Sequence, residues 1–238
     1  MSFPSENAVR VLDGAGQVLK EFSGLPRPLG LGVGNGRIYV GLGGHGAVRV
    51  FDLQGSPKGW LGNGRQDFSR PTDIAVSPVD GRIYVLDAGR AEIRAFDPHT
   101  LKEVGRVGDG VLRQPAGLAV RADGGLLVGD LILGSVEAFD GAGLPSGSFT
   151  AFGSQPGQTV RPTGISIDPL GRVYVVDAFL DQVQVYSPTG ALLAVRGEFG
   201  SGDGLMRNPL AVWVSPKDGR VWVTDSGDFE VEIFPMVP

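Results

Sequence analysis

Four aspartates occupy one place in a repeated phrase. Asp87 closes Gly81-Arg-Ile-Tyr-Val-Leu-Asp, Asp130 closes Leu127-Val-Gly-Asp, Asp177 closes Gly171-Arg-Val-Tyr-Val-Val-Asp, and Asp225 closes Gly219-Arg-Val-Trp-Val-Thr-Asp. Carboxylates repeated around a common axis could hold a hard cation such as Ca²⁺. The competing role is structural: each carboxylate accepts hydrogen bonds from its own loop or pairs with an arginine beside the proline of its unit. Those arginines, Arg27, Arg70 and Arg161, are in turn a candidate anion-binding rim. Recurrence in nearly every unit favours the structural role, because an active site breaks symmetry. No metal or other cofactor is therefore expected, and acids on the same rim are expected to pair with the arginines, each exposed pair contributing about 0–1 kcal/mol.

Other catalytic chemistry is thinly represented. Cysteine is absent, which removes disulfides, thiolate metal sites and a thiol nucleophile while leaving the compartment open. The two histidines, His45 and His99, fall in different classes of loop and do not converge. Stretches such as Gly41-Leu-Gly-Gly-His-Gly46 read as loops, not as phosphate cradles. No catalytic residue is assigned and the chain is expected not to be an enzyme.

The departure that does suggest function is apolar. The segment after the aspartate reads Leu131-Ile132-Leu133 in one unit and Phe179-Leu180 in the next, and Phe229 follows in the last. Loops of this kind are normally solvated, and contiguous apolar surface usually marks a partner. A protein or peptide, or a second copy of the chain, is the expected partner of these six residues.

The elements that position these residues come from the repeat. Pro28, Pro71, Pro115, Pro162 and Pro209 recur every 43 to 47 residues, a period that with several short strands per unit marks a β-propeller. Arg161-Pro162-Thr163-Gly164 opens a unit as a turn. Ile165-Ser-Ile167, Arg172 to Val176, Gln182 to Tyr186 and Ala191 to Arg196 then read as four antiparallel strands. Five units follow, about 25–68, 69–111, 112–159, 160–205 and 206–238, preceded by strands over 8–22. The expectation is one all-β domain over residues 1–238, a propeller of five four-stranded blades, with a six-bladed ring as the alternative. Val18 to Phe22 aligns with an outer strand and the last unit lacks one, so the N-terminal strand is expected to close the last blade. Trp213 stands where Gly32, Ala75, Ala119 and Ser166 are small, and is expected to pack at that closure.

Pro-x-Gly-Ile-x-Val followed by Gly-Arg-x-Tyr-Val-x-Asp resembles the NHL-repeat family of β-propellers over residues 25 to 235, with the second and fourth units the best matches. The family repeat continues Ser-Gly-Asn-Asn-Arg after the aspartate; here Glu92, Ser135, Gln182 and Glu230 stand in place of that arginine. The resemblance implies a platform, usually of six blades, used by protein-interaction modules, RNA binders, extracytoplasmic sensors and a few enzymes. A non-catalytic scaffold presenting one face to a protein or peptide is the leading expectation. Single-stranded RNA binding and metal-dependent hydrolase or lyase chemistry are the alternatives. The net charge of −5 weighs against nucleic acid, and a zinc centre of the amidating-lyase kind would lack its ligands. No stretch of about 20 apolar residues is available to span a bilayer. An extracytoplasmic placement, with a leader already removed, is taken ahead of a cytoplasmic one.

Overall fold

The computed structural model describes residues 1–236 and divides into two compact units, Met1–Asp109 and Gly110–Pro238. Each unit holds three antiparallel sheets, so this β-propeller has six blades. In the first unit, blade one comprises Ser2–Phe3, Ala8–Leu12 and Val18–Phe22. Blade two comprises Pro28–Gly34, Arg37–Leu42, Ala47–Asp52 and Pro57–Trp60, and blade three Pro71–Val76, Ile83–Asp87, Glu92–Phe96 and Glu103–Val107. In the second unit, blade four comprises Pro115–Val120, Leu126–Asp130, Ser135–Phe139 and Pro145–Ser148. Blade five comprises Pro162–Ile167, Val173–Asp177, Gln182–Tyr186 and Leu192–Arg196, and blade six Pro209–Val214, Arg220–Asp225 and Glu230–Pro235.

Two expectations need correction. There are six blades, not five, and the N-terminal strands do not complete the last blade. Val18–Phe22 pairs with Ala8–Leu12, which pairs with the short strand Ser2–Phe3, so the N-terminus builds a sheet of its own. Side chains explain the preference. In blade one Arg10 lies opposite Glu21, with its Nε 2.7 Å from the Glu21 carboxylate. Aligned as an outer strand on Glu230–Pro235, the same segment would set Glu21 against Glu232, a like-charge cross-strand pair.

The backbone records the sixfold repeat directly. Gly46, Ala91, Gly134, Asp181 and Phe229 each immediately precede the third strand of a blade, Asn7 precedes Ala8–Leu12 of the three-stranded blade one, and all six have φ between +53° and +67°. The first strand of each of blades two to six begins with a proline, and the ladder slips just after it, at Pro28, Pro71, Pro115, Pro162 and Pro209. A residue without an N–H is tolerated at such a bulge. Within the second unit the inner strands approach closely. A Cβ on Gly117 would lie 2.8 Å from the Thr163 carbonyl oxygen, and one on Gly164 2.8 Å from the Ala211 Cα.

Alternate residues of neighbouring blades fill the cores. Tyr39, Val48, Val50, Leu61, Phe68, Ile74, Ile83, Val85 and Phe96 form one cluster in the first unit. Tyr174, Val176, Val183, Val185, Met206, Val212, Val214, Val221 and Val223 form another in the second. Arg94 brings a charge into this apolar filling, its side chain being 1% exposed. It lies 4.3 Å from the Phe68 ring centroid, donates to the Asp67 carbonyl at 2.7 Å, and pairs with the carboxylates of Asp67 (3.2 Å) and Glu103. Burial works against ionisation of Asp67, yet the Asn63 N–H and Arg94 outweigh it and hold its pKa low. Glu103 is likewise held low by Arg106 and Arg94 against the effect of burial.

Arg94→Ala removes the cation from two partly buried carboxylates and is expected to cost about 3 kcal/mol in urea unfolding. Both carboxyls have folded pKa values below their unfolded ones. The stability they contribute is therefore complete above the ordinary values of 3.8 and 4.5 and is lost as the pH falls through the folded values. The Arg94→Ala protein should show a shallower acid-induced loss than the unaltered one.

Candidate functional site: the loops between second and third strands

The second-strand aspartates are held chiefly by backbone N–H groups. Asp177 Oδ2 accepts the N–H groups of Val160 and Arg161 at 2.6 and 3.0 Å, and its Oδ1 accepts those of Phe179 and Leu180 at 3.0 and 3.1 Å. Asp130 does the same for Arg113, Gln114, Ile132 and Leu133 at 2.7 to 3.1 Å. Asp87 accepts Ser69 and Arg70, and Asp225 accepts Arg207 and Gly227. All four side chains are buried. Asp130, Asp177 and Asp225 tie the chain entering their blades to the loop leaving the second strand through N–H groups on both sides, and Asp87 does so through the Ser69 and Arg70 N–H groups and the Arg90 guanidinium, the structural role weighed above. Among the described residues no three His, Cys, Asp or Glu side chains gather as a metal site requires.

The anticipated carboxylate–arginine pairing is not what forms. Arg70 and Arg161 contribute their backbone N–H groups, while the Arg27 N–H goes to Asn7 Oδ1 at 2.9 Å. Among the described residues the exposed guanidinium groups of Arg27, Arg70 and Arg161 enter no ion pair, because the carboxylate oxygens are already taken by peptide donors. The rim ion pairs that do form are Arg90–Asp87 at 3.2 Å and Arg207–Asp228 at 3.3 Å. His45 lies in the second-to-third strand loop of blade two, and His99 follows the third strand of blade three.

The six apolar residues all lie in the second unit, on the same class of loop in three successive blades. Their environments differ. Ile132, Phe179 and Phe229 are 66%, 65% and 93% exposed, whereas Leu131, Leu133 and Leu180 are half-buried. Ile132 and Phe179 occupy the position two residues after the aspartate. Blades three and six have Gly89 and Gly227 there, where a Cβ would strike Ser69 Oγ at 2.2 Å or the Arg207 carbonyl at 2.4 Å. The entering chain thus closes over the loop in those blades, and the side chain projects in blades four and five.

Phe229 is a separate case. It takes the left-handed position at φ +58°, where the other blades have Asn, Gly, Ala, Gly and Asp. A bulky aromatic residue there is an outlier costing roughly 1–2 kcal/mol. Asp181, at the same position in blade five, uses its Oδ1 to accept the Asn208 N–H at 2.7 Å, as Asn7 does for Arg27. Sequence reasoning missed these caps, although the four-residue spacing from Phe3 to Asn7 matches that from Asp87 to Ala91. Trp213 is 55% exposed and is not the packed plug expected; Trp222, opposite it in the ladder, is half-buried with Arg220 over its ring.

Comparison with known proteins agrees with this geometry. A family profile described as NHL repeat matches residues 68–96, the end of the chain entering blade three together with that blade's first three strands. Residues 68–96 of this β-propeller are thus an NHL repeat. It is 36% identical over 61 residues to the E3 ubiquitin-protein ligase TRIM71 of Bos taurus, covering 26% of this chain and 7% of that one. It is 28% identical over 153 residues to peptidyl-glycine α-amidating monooxygenase A of Xenopus laevis, covering 60% of this chain and 16% of that one. The NHL chain thus spans only a small part of either relative's length. A solved structure of a protein of unknown function from Bacteroides thetaiotaomicron superposes with a TM-score of 0.78 at 16% identity, over 98% of this chain and 65% of that one. That likeness shows the shared fold. Among the described residues no helix is long and apolar enough to cross a membrane.

Asp177→Ala strands four peptide N–H groups and is expected to destabilise the protein by about 3 kcal/mol. EDTA should leave the melting temperature unchanged, because peptide donors saturate the carboxylates. A fall in melting temperature on chelation would return these aspartates to the role of metal ligands.

Proposed function

We propose that this NHL propeller is a non-catalytic binding platform whose second unit takes up a protein or peptide through Ile132, Phe179 and Phe229, together with the half-buried Leu131, Leu133 and Leu180. The observation that carries the reading is Phe229, an almost fully exposed aromatic side chain held in a left-handed conformation. Strained, exposed residues persist where function requires them. Covering each of the three exposed side chains would contribute about 1.5–3 kcal/mol, and aromatic anchors of this kind dominate interface energetics.

The partner is a segment with aliphatic or aromatic side chains, supplied by another protein or by a second copy of this chain. Metal-dependent hydrolysis or elimination has less support, since the repeated carboxylates already hold backbone donors. RNA binding rests on Arg27, Arg70 and Arg161 as the candidate rim for anions, against a net charge of −5.

The test is a variant carrying Ile132→Ser, Phe179→Ser and Phe229→Gly. Relief of the left-handed strain should offset the other changes, so its melting temperature should equal or exceed that of the unaltered protein. Selection from a phage-displayed peptide library should yield apolar peptides on the unaltered protein and none on the variant. Ultracentrifugation should show any self-association lost as well. Unfolding of the variant, or selection of the same peptides by both proteins, would overturn the reading.

A further inference from the structure

Blade two gathers positive charge of a kind that blade three neutralises. Arg49 on its third strand lies directly opposite Trp60 on its fourth, with the guanidinium carbon 4.3 Å from the ring centroid. The Arg65 guanidinium lies over the same ring at 5.7 Å. Two cations thus converge on one indole, which is itself packed against the cluster of Val9, Phe22, Val40 and Phe51.

Blade three shows how this fold treats converging arginines. Arg94 holds the position of Arg49, and Arg106 opposite it holds that of Trp60. Three carboxylates surround that pair: Glu92 and Glu103 meet Arg106, while Glu103 and Asp67 meet Arg94. Blade two has none of the three. Ala47 stands opposite Leu42 as Glu92 stands opposite Asp87, and Pro57 opposite Phe51 as Glu103 opposite Phe96. Gly24 precedes Pro28 by four residues, as Asp67 precedes Pro71.

The acids on the adjoining turns are engaged. Asp67 pairs with Arg94 and accepts the Asn63 N–H, and Asp52 pairs with Lys58 and accepts the Ser56 N–H. Among the described residues neither Arg49 nor Arg65 enters an ion pair. The loop carrying Arg65 is nevertheless pinned. The Gly62 N–H donates to the Leu101 carbonyl and the Gln66 N–H to the His45 carbonyl, each at 2.9 Å. Gly62 and Gly64 take φ of +65° and +95°, and the loop passes so near the indole that a Cβ on Gly64 would lie 3.8 Å from Trp60 Cγ.

We propose that Arg49 and Arg65, braced on Trp60, form a binding site for a phosphomonoester dianion. The indole answers charge without supplying an acceptor oxygen, so the N–H donors of both side chains remain for phosphate oxygens, which planar guanidinium forks match. Two cations balance the two charges of a phosphomonoester; a carboxylate or a phosphodiester carries one and leaves a cation unanswered. The site lies in the first unit and does not rest on the apolar loops of the second.

The probes are glycerol 3-phosphate, for a free phosphorylated metabolite, and a short glycine peptide carrying one phosphoserine, for a modified protein. In NMR titrations of the full chain both should shift the Arg49 and Arg65 Nε–Hε and Trp60 indole N–H resonances, leaving those of Arg27, Arg70 and Arg161 in place. The tighter of the two identifies the source. Acetate and dimethyl phosphate at the same ionic strength should bind about tenfold more weakly. Arg65→Gln, at an exposed position, should keep the melting temperature and weaken phosphomonoester binding about tenfold. Absence of these shifts, equal binding of dimethyl phosphate, or unchanged binding by Arg65→Gln would overturn the proposal.

Discussion

A buried aspartate accepting as many as four peptide N–H groups is the interaction on which the blades depend. A buried carboxylate is costly unless it is satisfied. Here the donors come from two segments distant in sequence, so satisfying the charge also fixes the chain entering the blade against the loop that leaves its second strand. Asp130 and Asp177 each bind two N–H groups on either side. Blade two has Leu42 at this position; its loop keeps the hydrogen bond from the Gly43 N–H to the Arg27 carbonyl at 2.9 Å, which Ala88, Leu131 and Ala178 also make to the entering chain in the aspartate-bearing blades, and a second from the Gly44 N–H to the Pro26 carbonyl at 3.1 Å.

A loop fixed through its backbone can vary its side chains freely. With the N–H groups of Phe179, Leu180, Ile132 and Leu133 held by carboxylates, apolar side chains need not fold inward to keep the loop in place. The two units use this freedom differently. In the first, the corresponding loops carry Gly43-Gly44-His45 and Ala88-Gly89-Arg90, small or charged residues. In the second, two loops carry large apolar residues and the third carries Phe229 in a conformation better suited to glycine. This asymmetry in an otherwise repetitive fold is what sets the loops of the second unit apart from those of the first.

Much of this was legible in the sequence. The proline period located the inner strands, and the recurrence of Asp87, Asp130, Asp177 and Asp225 indicated a structural role that the hydrogen bonds explain. The loop residues were legible as a departure from a polar pattern, but not their division into exposed and half-buried members, which depends on how closely the entering chain approaches. The sixth blade was hidden because Ser2–Phe3 carries none of the Gly-Arg-x-Tyr-Val signature. Its neighbours had been matched correctly to outer strands, but the choice of partner rested on Arg10 and Glu21, a pairing outside any repeat. Arg94 was hidden for a similar reason: a charged residue in an alternating strand reads as a solvent-facing one, and its burial follows from Asp67, Glu103 and Phe68 meeting around it. The left-handed geometry of Phe229 could be seen only by aligning the last residue of all six loops.

The central claim is that the aspartates hold the apolar loops rigid while leaving their side chains open. Native-state hydrogen exchange at the amides of Phe179, Leu180, Ile132 and Leu133 tests it most directly. Slow exchange at these four, comparable with the neighbouring strands and lost at Phe179 and Leu180 alone in Asp177→Ala, is the predicted result. Exchange as fast as in an unstructured loop in the unaltered protein would contradict the account.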